Sequence, residues 1–176
     1  MALPKVGRIN LSGNHNLGSM RKLAINRLSA SSMRRILSFY GPNLGAGIRV
    51  DYIRSDWREV RVSMKLRWYN RNAHGVHFGG SLYSMIDPHF ALMLMRNLGE
   101  DYLIWDKSAE IEYVSPGRGT VSATMQITED QIKDIRLHTE SGQKYFPRFS
   151  VNVLDKKEQL VCKINKILYV KKTHIR

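Results

Sequence analysis

The segment NAHGVHFGGSLYSMIDPHFALMLMRNL, Asn72 to Leu98, limits what this chain can fold into more than any other. Gly79 and Gly80 open a run that stays almost wholly apolar to Leu98, apart from Asp87, His89 and Arg96. Leu82, Met85, Ile86, Phe90 and Met93 recur at helical spacing, and Leu92, Leu94 and Met95 fill much of the opposite face. A helix that is apolar nearly all round is a helix buried in a core. Asp87-Pro88 and Arg96-Asn97 interrupt it too often for a membrane span, which needs about 20 apolar residues. A buried aspartate is costly unless it is paired or used, and a proline inside a helix removes a hydrogen bond at a cost of ~3 kcal/mol. Side by side in the most buried helix, Asp87 and Pro88 mark the functional candidate.

The rest of the chain supplies a sheet to wrap that helix. Before it, Ile48, Val50 and Tyr52 alternate with Arg49 and Asp51, and Val60, Val62, Met64 and Leu66 alternate with Arg61, Ser63 and Lys65. Such period-two patterns are strand signals. After it, Asn97-Leu98-Gly99 ends the helix. Ala109, Ile111 and Tyr113 then alternate up to the turn Ser115-Pro116-Gly117-Arg118-Gly119, and Val121, Ala123, Met125 and Ile127 return. Thr128 to His138 predicts a short helix with a capping box at Thr128 and Gln131. Tyr145 to Leu154 and Leu160 to Val170 form a last pair of strands. Near the N-terminus, Leu23, Ile25, Leu28, Met33, Ile36 and Leu37 predict an amphipathic helix from Arg21 to about Tyr40, stopped by Gly41-Pro42. The expected class is α+β: six mostly antiparallel strands around one central apolar helix, with an extra N-terminal helix.

Composition narrows the rest. A chain of 176 residues with 43% apolar content suits one globular domain, set at residues 20–176. Residues 1–19 carry no hydrophobic period and read as a flexible tail; Gly18-Ser19-Met20 has the look of a fusion scar, and the scarcity of acidic residues that of a transit peptide. The single cysteine, Cys162, fits a small core residue in a reducing, cytoplasmic setting. The net charge of +13 asks for an anionic partner. The basic residues form no block and no nucleic-acid motif, so a phosphorylated small ligand suits the field better than nucleic acid.

In their order and spacing, Asn72, Gly75, Phe78-Gly79-Gly80, Asp87-Pro88, Leu98-Gly99, Trp105-Asp106-Lys107 and Pro116-Gly117-Arg118 resemble the hotdog-fold, PaaI-like acyl-CoA thioesterases, and within them the DUF4442 family. The resemblance covers about Gly45 to Val170. It implies a thioester hydrolase without metal or redox cofactor. It implies that the amides of Gly79 and Gly80 polarise the thioester carbonyl and that Asp87 is base or nucleophile. It further implies that Asn72 orients carbonyl or water and that Asp106 lies near the attacking water. Phe78 stands where many relatives carry histidine, with His77 one place earlier, and is counted with the substrate-binding residues. Arg118 and Lys107 are the expected phosphate contacts.

Elementary chemistry agrees with that picture. Amides at a helix start stabilise developing negative charge, and a desolvated carboxylate can accept a proton from water near neutral pH. Gly79 and Asp87 are eight residues apart, about 12 Å along a helix. One chain cannot bring both to a single carbonyl, so a homodimer or larger assembly with sites at the interface is expected. Met85, Met93 and Met95 suit a medium or bulky apolar acyl chain. Coenzyme A and acyl carrier protein both fit the positive charge. Other readings are a hydratase or dehydratase that uses His77 or His89 with Asp87, a non-catalytic acyl-CoA-binding module, and a purely structural Asp87 satisfied by Tyr83 and Ser84.

Overall fold

The computed structural model describes residues 28–173. The expectations for residues 1–19, and for the first helix before residue 28, lie outside the described residues.

Ser29 starts the first helix, α1 (Ala30–Ser38), by accepting a hydrogen bond from the Ser32 amide at 3.2 Å. Met33 and Leu37 face the core, while Ile36 is exposed. Gly41-Pro42 ends nothing by itself. Proline is tolerated in a first helical turn, where an amide would have no partner, and Pro42 opens a second short helix, α2 (Gly41–Ala46). Gly47 ends α2 at φ 76°, and its lack of a side chain admits the Tyr69 hydroxyl.

Strands β1 (Ile48–Ile53) and β2 (Glu59–Lys65) pair as expected, with one correction. A bulge between Val50 and Tyr52 turns Tyr52 outward beneath the Arg61 guanidinium and buries Ile53 instead. The central helix comes in two pieces, α3 (Gly79–Ser84) and α4 (His89–Leu98), joined by a turn at residues 85–88. Leu82, Met85, Ile86, Phe90, Met93 and Leu94 are all buried, and the Phe90 ring stacks on Phe149.

Strand β3 (Tyr102–Tyr113) starts well before the expected Ala109. Next come β4 (Thr120–Gln126) and helix α5 (Glu129–Thr139), with both halves of the Thr128/Gln131 capping box formed. The stretch expected to start at Tyr145 is cut by Pro147, which has no N–H for a ladder. It becomes β5 (Lys144–Tyr145) and β6 (Arg148–Asp155), and β7 (Leu160–Lys172) closes the sheet. Seven strands therefore replace the expected six. Their order is β1-β2-β4-β6-β7-β3, all neighbours antiparallel, with β5 beside the end of β7. The sheet curls around α3 and α4, and β3 is left as a long outer edge.

Candidate functional site

A groove of about 750 Å³ opens where α3 begins. Asn72, Phe78, Gly79, Gly80, Tyr113 and Arg118 line it, with the 114–116 segment as its far wall. Phe78 caps α3 without a side-chain hydrogen bond. The two rings crowd these glycines: a Cβ on Gly79 would stand 2.7 Å from the Tyr113 hydroxyl, and one on Gly80 would stand 2.5 Å from the Phe78 ring, so either ring would have to shift. Asn72 is engaged locally, since its Oδ1 accepts from the His74 and Val76 amides at 2.9 and 3.3 Å.

The turn that carries Arg118 is pinned to the same loop by His77. The His77 amide donates to the Gly117 carbonyl at 3.1 Å, and its ring Nε2 lies 3.0 Å from the Gly119 carbonyl. That carbonyl can only accept, so Nε2 carries the proton, and the buried Nδ1 has no partner among the described residues. Buried Asn70 anchors the loop's start through the Ala46 and Lys65 carbonyls, and its own carbonyl accepts from the Phe78 amide.

A second cluster forms at the break between α3 and α4. The ammonium of Lys166 on β7 is fully buried. Its Nζ lies 3.2 Å from Asp87 Oδ1 and 2.9 Å from Asp106 Oδ1, and donates to the Asp87 carbonyl at 2.6 Å. The Tyr83 hydroxyl donates to the Asp87 carboxylate, and burial together with that bond pushes its pKa well up. Ser84 instead turns back to the Gly80 carbonyl. Asp87 was expected to be desolvated; within one chain its side chain is 46% exposed and that of Asp106 35%.

Among the residues singled out in the sequence, Asn72, Phe78, Gly79, Gly80 and Arg118 thus meet in the groove, while Asp87 and Asp106 meet at Lys166. Lys107 joins neither set, and its Nζ sits 3.8 Å from the centre of the Phe146 ring. Met85 and Met93 are core residues and do not line the groove. Lys166 and Tyr113 were missed. The signal for Lys166 was its place in β7, where Cys162, Ile164, Leu168 and Val170 point inward at period two and Lys166 holds the same parity.

A seven-stranded antiparallel sheet wrapped on a central helix is the hotdog fold. The chain belongs to the DUF4442 family, described only as a domain of unknown function, whose pattern matches residues 31–170. Solved structures share the fold at low identity. A Pseudomonas aeruginosa protein of unknown function, designated a probable thioesterase, is 14% identical, with a TM-score of 0.73 over 82% of this chain and 96% of its own. A Haemophilus influenzae thioesterase is 13% identical, with a TM-score of 0.61 over 83% and 92%. The E. coli PaaI protein of the phenylacetic acid degradation operon is 16% identical, with a TM-score of 0.56 over 83% and 93%. No curated protein sequence matches this chain.

His89 makes the fold sensitive to acid. Its side chain is buried, Nε2 has no partner among the described residues, and burial, aided by the Lys166 charge, pushes its pKa down to about 4 from the usual 6.5. Between those two values the unfolded chain binds more protons than the folded one. Stability therefore rises with pH across this window and is lost as pH falls through it, by up to ~1.4 kcal/mol per unit. Urea midpoints measured across the window should show this slope in wild type and a flatter one in His89→Met. Equal slopes would exclude His89 as the source.

Proposed function

We propose that this protein hydrolyses acyl thioesters, acyl-CoA foremost, at a site shared between two subunits. The observation that carries the reading is one pairing on a hotdog scaffold. A groove at the start of α3 accompanies two lysine-held carboxylates half a helix away. The thioesterase designations of the proteins with the same fold support the reaction class.

In this reading the acyl carbonyl lies at the Gly79 and Gly80 amides. The Asp87 carboxylate takes a proton from water as the water oxygen bonds to the carbonyl carbon. The amides hold the negative charge that develops on the carbonyl oxygen. Collapse of the intermediate breaks the C–S bond, and the proton goes to the departing sulfur, giving a carboxylic acid and a thiol. Asn72 frames the loop facing the carbonyl, and Asp106 shares the water with Asp87. Alternatively, Asp87 attacks the carbonyl carbon itself, the C–S bond breaks and the thiolate leaves, and water then cleaves the resulting mixed anhydride to the carboxylic acid and the free Asp87 carboxylate, a proton going to the thiolate. The buried positions of His77 and His89 speak against the hydratase chemistry that would use them.

The amides and the carboxylate come from different chains. β3 pairs with β7 on one side only, and its outer edge exposes Trp105 and Tyr113. Long open edges invite strand pairing. An antiparallel β3–β3 pairing about a two-fold axis would set the groove of one chain beside the carboxylates of the other, and two equivalent sites follow from that axis. Arg118 then supplies positive charge at the groove mouth for the ligand's phosphates.

Thiol release from a panel of acyl-CoAs tests the reading. Wild type should turn over, and Asp87→Asn, which keeps the shape and removes the charge, should lose at least about a hundredfold. No turnover on any thioester, with acyl-CoA bound equally by both proteins, would point to a binding module instead. On the same panel, Arg118→Ala should raise KM for acyl-CoA far more than for a short thioester lacking the nucleotide. Equal effects would reject the phosphate assignment.

A further inference from the structure

An ammonium taken out of water costs several kcal/mol unless its partners are well placed. Lys166 lies on the inward face of β7, between Ile164 and Leu168. A lysine ammonium has three N–H groups and accepts nothing, and three oxygens surround it: the Asp87 carbonyl, Asp87 Oδ1 and Asp106 Oδ1. The carbonyl belongs to the turn at residues 85–88, between the two helical pieces. Lys166 therefore holds the backbone and the carboxylate of the same residue, and Asp87 cannot swing away without breaking one contact or stretching the other.

The charges around the cluster can be named element by element. α3 contributes the neutral Tyr83 hydroxyl, a donor to Asp87. α4 contributes His89, kept neutral by burial. β3 contributes Asp106, next to a bulge between Asp106 and Ser108, and β7 contributes Lys166. Bulges commonly re-aim a side chain beside an active site, and here Asp106 meets the ammonium. Two carboxylates no more than about 6 Å apart share one cation. Without it the two carboxylates would repel each other.

We propose that Lys166 is the positioning residue of the site: its ammonium, bonded at once to the carbonyl and the carboxylate of Asp87 and to Asp106, fixes the turn at residues 85–88 and holds the two carboxylates side by side. The catalytic half of this inference rests on the hydrolase reading above; the structural half does not.

Two readouts test it together: amide hydrogen exchange of the turn at residues 85–88, and the separate effects on kcat and KM. In Lys166→Met the turn should exchange at least about tenfold faster while the strands keep their protection, and kcat should fall with KM little changed. Lys166→Arg, which keeps a cation at the same oxygens, should recover most of both, a rescue that a merely packing role would not give, and it serves even if Lys166→Met fails to fold. Unchanged exchange of the turn in Lys166→Met, or Lys166→Arg no better protected than Lys166→Met, would overturn the proposal. If wild type has no turnover but the turn loosens as described, the hydrolase reading falls and the hold of Lys166 on the turn stands.

Discussion

At the ammonium of Lys166 three parts of the molecule meet: the inner strand β7, the edge strand β3 that pairs with it, and the turn dividing the central helix, which no ladder ties to either strand. The apolar core could be satisfied by a helix sliding along the sheet, since hydrophobic attraction is non-directional. A buried ammonium with oxygens at 2.6, 2.9 and 3.2 Å is directional. It tolerates one arrangement, because losing a partner would strand a charge out of water. The Asp87-Pro88 break supplies the turn whose carbonyl it binds, so the costly proline and the costly aspartate belong to one device.

Helix length supplies the second constraint. The groove sits at the first residues of α3, and Asp87 follows in the turn beyond it, eight residues on, about 12 Å at the rise of a helix. In the proposed reading a single chain therefore displays two half-sites. Among the described residues the outer edge of β3 is unpaired, and the side chains of Asp87 and Asp106 keep 46% and 35% of their surface exposed. A second copy placed there would cover the carboxylates, remove an edge strand and complete both sites at once. The desolvation of Asp87 expected from its helix then becomes a property of the assembly.

Much of the fold was legible because its signals are local. The central helix announces itself by being apolar all round, β2 by strict alternation, and α5 by the Thr128/Gln131 capping box. Where a single residue changes the rule, the reading slipped. A bulge after Val50 reverses the facing of Tyr52 and Ile53. Pro147 divides one expected strand into β5 and β6. Pro42 begins a helix where it was expected to end one. The early part of β3 shows little alternation because beyond Ile104 this edge strand is open to solvent on both faces. Of the site, the groove residues and both carboxylates were visible as a motif. Lys166 was not, because a lysine is ordinarily a surface residue and its partners lie far away in sequence, Asp87 by 79 positions. Only the parity of β7 betrays it.

Subunit complementation tests the shared site most directly. Asp87→Asn subunits lack the carboxylate but keep the groove; Gly79→Leu subunits have the groove filled but keep the carboxylate. Each variant alone should be nearly inactive. Unfolded together and refolded as a mixture, half the dimers are mixed, and each mixed dimer has one intact site, so activity should return to about a quarter of wild type. A mixture as inactive as its two components would contradict the account, since it would mean that groove and carboxylate must reside in the same chain.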